Sequence, residues 1–203
     1  AVDKNIGKLI NGLKDNELYE NSLIIFTSDN GGLSTLRRVA PTSVFPLRAG
    51  KGWLYEGGIK IPQLIKLPGK NEKEVVDDLT VSYDLFPTIL DIAGIRNENE
   101  IDGISLIPRL VDKSKIGREN IYWHFPHYHG SLWKPGSAIR SGDWKLIFDY
   151  ESNESKLFNL KDDPGELNDI SNLFNEEKEK LITELEKMKK ETNANFVSIN
   201  PKY

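Results

Sequence analysis

The spacing of apolar residues changes several times along this chain, and each change marks an element. Over residues 2–19, Val2, Ile6, Leu9, Ile10 and Leu13 recur at helical spacing, which predicts an amphipathic helix. Asn21–Ser22 breaks the pattern. Residues 23–27, LIIFT, form a short continuous apolar run of β-formers. Such a run suits a strand buried on both faces of a parallel sheet. Residues 33–57 are irregular, with Pro41, Pro46, Gly50, Gly52 and Gly57 as punctuation. A loop this long usually carries function or is disordered. Residues 59–67, IKIPQLIKL, predict another strand, and Pro62 places it at an edge or a bulge. A helix is expected over 82–93. There Leu85, Phe86, Ile89, Leu90 and Ala93 share a face, Ser82 is a candidate cap, Pro87 falls in the first turn and Gly94 closes. Residues 95–120 read as connection.

From residue 121 the pattern changes again. IYWHF, SAIRS, WKLIFDY and KLFNL are short strand-like runs separated by turns. They predict a small antiparallel sheet with one wet face. Asp162-Asp163-Pro164-Gly165 is a turn signal. A last helix is expected over 175–191, with Leu181, Ile182, Leu185 and Met188 inward and Glu and Lys outward. The fold class is therefore α/β: part of an α/β domain over 1–115, then a small α+β subdomain over 120–203. One buried strand and one edge strand are too little sheet to close an α/β core. The open faces predict that another polypeptide covers them, and that the chain is poorly soluble without it.

Composition narrows the function classes. The 203 residues are 38% hydrophobic and 29% charged, an ordinary globular balance, and no apolar run is long enough to span a membrane. No signal peptide is visible, though the sequence does not begin with Met. Cysteine is absent, which excludes disulfides, thiolate zinc sites and a Cys nucleophile. The formal net charge of -4 hides an asymmetry. Residues 34–70 hold seven cations and one anion, whereas residues 151–191 hold 12 carboxylates and seven lysines. The basic stretch suits an anionic ligand, or else a solvated loop. Nucleic acid is disfavoured by the acidic total and by the lack of stacking aromatics among these cations.

The candidate chemistry follows the first strand. Asp29-Asn30-Gly31-Gly32 sits at a strand exit, where ligand sites of α/β sheets lie. Adjacent carboxylate and amide oxygens suit a hard cation such as Ca²⁺, although the same residues also make a simple Asx-type turn. Two side chains cannot complete a shell of six to eight oxygens. Further on, Arg48-Ala49-Gly50-Lys51-Gly52-Trp53-Leu54-Tyr55-Glu56-Gly57-Gly58 places Lys51 between glycines. Its ammonium could meet an anion as a point charge, or be solvated. His124, His127 and His129 in WHFPHYH invite a zinc reading, a packed loop role or substrate contact, with His127 the first candidate for contact. Trp133 is a candidate sugar-stacking face. Arg48 is a better anion candidate than Arg37 or Arg38, being next to the lysine motif. Asn153-Glu154-Ser155 fits a glycosylation sequon.

Together, TSDNGG at 27–32 and GKGWLYEGGIKIP at 50–62 resemble the formylglycine-dependent sulfatases of the alkaline phosphatase superfamily. SYDLFPTILDIAG at 82–94, DGISLIPRL at 102–110, SAIRSGDWKLI at 137–147 and KLFNLKDDPGELND at 156–169 continue the resemblance in order. It implies a partial alkaline-phosphatase-like sheet sandwich followed by the C-terminal subdomain. It implies Asp29 and Asn30 as calcium ligands, Lys51 as the catalytic lysine on the sulfate, and Arg48 and His127 as substrate contacts. It implies a sulfated small molecule or glycan as substrate and a periplasmic or secreted location. The nucleophile is expected elsewhere: no Cys is present, no Ser stands in S-x-P-x-R, and Ser43 in SVFPLR has the wrong spacing. The chain is thus expected to be a C-terminal portion, inactive alone, whose formylglycine and remaining metal ligands lie in a missing N-terminal portion. The alternatives are a phosphate or phosphonate ester hydrolase of the same superfamily, or a non-catalytic remnant that binds anionic glycans.

Overall fold

The computed structural model describes residues 1–35, 39–70 and 72–196. Its contacts group into two compact units, Ala1–Val75 and Val76–Tyr203. Among the described residues, no helix is long and apolar enough to cross a membrane.

In the first unit, helix α1 runs Val2–Asp15, with Asp3 in its first turn and Lys14 in its last. Both charges complement the helix dipole. It ends four residues earlier than its spacing predicts. The Asn16 side chain donates to the Gly12 carbonyl at 2.8 Å, and Glu17 turns left-handed at φ 59°. No residue of α1 is buried, and Val2 and Leu9 are 66% and 61% exposed. Strand β1, Ile24–Thr27, pairs antiparallel with β2, Gln63–Lys66, with Ile25 opposite Ile65. This corrects the expected doubly buried parallel strand: Phe26 and Thr27 are exposed. A continuous apolar run reports affinity for a core and says nothing of strand direction. Pro62 sits just before β2, where its missing N–H costs no ladder bond, and its carbonyl accepts the Thr27 hydroxyl at 3.1 Å. Among the described residues, the 33–57 stretch is irregular up to one helical turn at its end, α2, Glu56–Ile59.

In the second unit, a 3₁₀ turn at Ser82–Asp84 leads into α3, Leu85–Ile92, and Gly94 closes it at φ 67°. The cap is Asp84 rather than Ser82. Asp84 is fully buried, accepting Val81 N–H at 2.9 Å and Ile104 N–H at 3.0 Å. The Arg118 guanidinium grips its two oxygens at 2.6 Å each. The segment read as connection contains a further helix, α4, Ile107–Asp112, with Pro108 in its first turn. Thr88 joins α3 to its start, accepting Leu106 N–H at 2.9 Å.

The sheet of this unit is a meander in the order β3-β4-β5-β6, all antiparallel. Its strands are Asn120–Phe125, Gly136–Ser141, Trp144–Asp149 and Glu154–Asn159. Helix α5, Asn175–Glu191, lays Leu181 and Leu185 on Ile139, Leu146 and Leu157, with Ile182 and Met188 packed alongside. The side facing away from α5 is not the wet face expected of a small antiparallel sheet. It buries Ala138, Ile147 and Phe158, and Lys145 is wholly buried with Glu166, Nζ to Oε1 2.9 Å.

Candidate functional site

The site is built from two turns that share a backbone. After β1, the Ser28 hydroxyl donates to the Asn30 carbonyl at 2.9 Å, and Asp29 Oδ1 accepts Asn30 N–H at 3.0 Å. The second turn, residues 48–58, crosses the first. Gly31 N–H donates to the Gly58 carbonyl and Lys51 N–H to the Gly32 carbonyl, each at 2.9 Å. Gly57 N–H donates to the Arg48 carbonyl at 2.9 Å, and the Ser34 hydroxyl to the Ala49 carbonyl at 2.5 Å. The approach is so close that only glycine fits. A Cβ at Gly31 would overlap the Gly57 carbonyl oxygen, and one at Gly58 the Trp53 carbonyl oxygen. The glycines that read as loop punctuation are the contact surface between the turns.

On this frame stand the predicted residues of the first unit. Asp29 and Lys51 are exposed, while Asn30 and Arg48 are half-buried. Asn30 Nδ2 donates to the Gly31 carbonyl at 3.0 Å, which leaves Oδ1 as its outward acceptor. Asp29 uses Oδ1 locally and keeps Oδ2. A carboxylate oxygen and an amide oxygen on adjacent residues fit the donor set of a hard cation. They supply two positions of at least six, and among the described residues no group of three His, Cys, Asp or Glu side chains could hold a metal. Asp29 and Asn30 on their own are therefore an incomplete ligand set for such a cation. The Arg48 guanidinium lies 4.1 Å from the Tyr55 ring centre, and Tyr55 stacks with Trp53. The sequence contains no Cys and no Ser in S-x-P-x-R.

The histidines separate into three roles. His124 is half-buried and tied down at both ring nitrogens: Nδ1 lies 2.7 Å from the Ser137 hydroxyl and Nε2 2.7 Å from the Asn195 carbonyl. A carbonyl only accepts, so Nε2 carries the proton. His129 folds its own loop, with Nδ1 accepting Ser131 N–H at 3.2 Å. His127 is exposed, edge-on to Phe125 at 5.7 Å. Trp133 is 6% exposed and offers no face for a sugar. Arg37 and Arg38 lie outside the described residues. Sequence reasoning missed Ser34, whose hydroxyl ties the turns together, and Tyr128, which is 68% exposed. Neither carries a periodic signal.

Comparison with known proteins shows the family. Residues 1–95 match the family model described as sulfatase, and residues 49–195 match that described as N-sulphoglucosamine sulphohydrolase, C-terminal. A sulfatase of Formosa agariphila is 33% identical over 83% of this chain and 34% of its own length. Human arylsulfatase A is 35% identical over 72% of the chain and 29% of its length. An N-acetylglucosamine-6-O-sulfatase of Bacteroides thetaiotaomicron is 31% identical over 84% and 30%. Among solved structures, Ps i-CgsB with k-i-k-neocarrahexaose superposes with a TM-score of 0.77, at 30% identity over 92% of this chain and 40% of that one. A structure solved with its substrate D-glucosamine-2-N,6-O-disulfate gives 0.74, at 28% identity over 96% and 39%. The chain spans about a third of the length of the curated relatives named here. It belongs to the sulfatases of the alkaline phosphatase superfamily, and it matches the C-terminal portion of that family.

Proposed function

We propose that this chain carries part of the cation site and the sulfate-contacting lysine of a sulfuric ester hydrolase that acts on a sulfated carbohydrate. The observation that supports this best is the Lys51 N–H to Gly32 carbonyl bond, which fixes the lysine's backbone to the turn that bears Asp29 and Asn30. Asp29 and Asn30 would help hold a cation that supplies Lewis-acid charge, and Lys51 would supply preorganised positive charge where negative charge gathers as the ester bond breaks. Arg48 and His127 are the proposed substrate contacts. The carbohydrate reading draws on relatives named for N-acetylglucosamine 6-O-sulfate and glucosamine disulfate. Members of this family generally use Ca²⁺ and formylglycine, and these 203 residues hold no precursor for the latter. The nucleophile and the remaining cation ligands come, on this reading, from an N-terminal portion of the same protein. The chain alone is inactive, and the whole enzyme is periplasmic or secreted.

Calorimetric titration of the purified chain with 4-nitrocatechol sulfate and Ca²⁺ tests the proposal. Binding without turnover is expected, reduced by Asp29→Ala and by chelation and abolished by Lys51→Ala. Binding that ignores Lys51→Ala would overturn the site. Calcium-dependent hydrolysis by the chain, lost in Lys51→Ala, would overturn its incompleteness.

A further inference from the structure

The β3–β4 connection, residues 126–135, is anchored at its base and apolar at its tip. Trp133 is buried, and a Cβ at Gly136 would reach its ring at 2.9 Å. His129 N–H donates to the Trp133 carbonyl at 3.1 Å, Leu132 N–H to the His129 carbonyl at 2.9 Å, and Tyr150 N–H to the Pro135 carbonyl at 3.0 Å. Leu132 is held left-handed at φ 73°, a conformation that costs a non-glycine residue about 1–2 kcal/mol. From this base Tyr128 and Leu132 project, 68% and 60% exposed. The Tyr128 hydroxyl donates to Glu151 Oε1 at 3.2 Å, and Glu151 also pairs with Lys134. The ring is thus fixed at its tip while most of its surface meets water. Lys134 offsets Glu151 only in part and Asp149 keeps the surround acidic, which disfavours an anionic group on the ring; exposed His127 is the preceding residue in the chain. One ring and one leucine offer on the order of 200 Å², far below the ~800 Å² per side of a protein interface. The dimensions are those of a single small ring.

We propose that Tyr128 is a stacking platform for the uncharged face of a pyranose ring, with Glu151 as its positioning residue; this rests on the carbohydrate reading above. The ligand class is a saccharide unit, and the contact does not depend on sulfate. Separately, the Glu151 charge raises the phenol's pKa above its ordinary value.

Saturation-transfer NMR on the 203-residue chain, with glucosamine and glucosamine 6-sulfate as probes, tests this. Tyr128→Ala is expected to weaken both probes roughly tenfold, and Tyr128→Phe, which keeps the ring but loses its tether to Glu151, about two- to threefold. Lys51→Ala should weaken only the sulfated probe. Tyr128 is exposed, so an unchanged amide spectrum away from the loop will show that the variant folds. Sulfate-dependent binding lost in Lys51→Ala but untouched by Tyr128→Ala would overturn the platform and leave the sulfatase reading standing. No transfer to either probe from the unaltered chain would overturn the platform and the carbohydrate reading together.

Discussion

Replacing Gly31 by alanine forces a methyl group onto the Gly57 carbonyl oxygen, and backbone cannot step aside as a flexible side chain can. The cost expected is about 1–3 kcal/mol, read as a lower urea midpoint. Gly7→Ala in α1 meets nothing within 4 Å and should stabilise by about 0.5–1 kcal/mol. Equal losses from the two would show that the turns do not interlock. The second residue-scale prediction concerns Lys145 and Glu166, both fully buried. Lys145→Met removes the ammonium that pairs with a buried carboxylate and should cost about 3–5 kcal/mol. The paired change Lys145→Met with Glu166→Leu removes both charges and should recover most of that loss in chemical denaturation. No recovery would mean that the pair stabilises on its own account.

The elements of the second unit are pinned by carboxylates. Arg109 donates to Asp78 at 2.7 Å, and this hydrogen bond holds the Asp78 pKa below its ordinary value of 3.8. A depressed carboxylate contributes stability that is full above its unfolded value, near 4, and is lost as pH falls through the lower folded value. Melting temperature followed from pH 6 to pH 2 should fall more steeply for the natural chain than for Asp78→Asn. Parallel curves would remove Asp78 from the account. At this scale the sequence was readable where periodicity is strong: α1, α3, α5 and all six strands lie where apolar spacing puts them. Three features were not readable. The direction of β1 depends on a partner some forty residues away, and the LIIFT run fits either direction. The burial of Lys145 depends on Glu166, which no local pattern joins to it. Helix α4 is too short to show a period. The site was readable in part for a similar reason. DNGG and GKG are local signals, but the bonds between them, the buried place of Trp133 and the open place of Tyr128 arise only on folding.

Apolar surface left uncovered characterises the whole molecule. Val2 and Leu9 on α1, Leu64 on β2 and Phe86 and Ile89 on α3 are all 45% exposed or more. Such surface marks a missing neighbour or a tendency to associate. Sedimentation velocity on the isolated chain should show concentration-dependent association, reduced by Leu9→Lys with Leu64→Lys; a clean monomer at all concentrations would contradict this. The sheet of the second unit has another consequence. Each of its strands pairs with the next in sequence, so every ladder closes a short stretch of chain. Local pairing carries little loop-closure entropy and favours rapid folding. These hairpins can form one after another as the polypeptide leaves the ribosome. Glu166, which pairs with Lys145 of β5, and α5, which covers one side, are synthesised after all four strands.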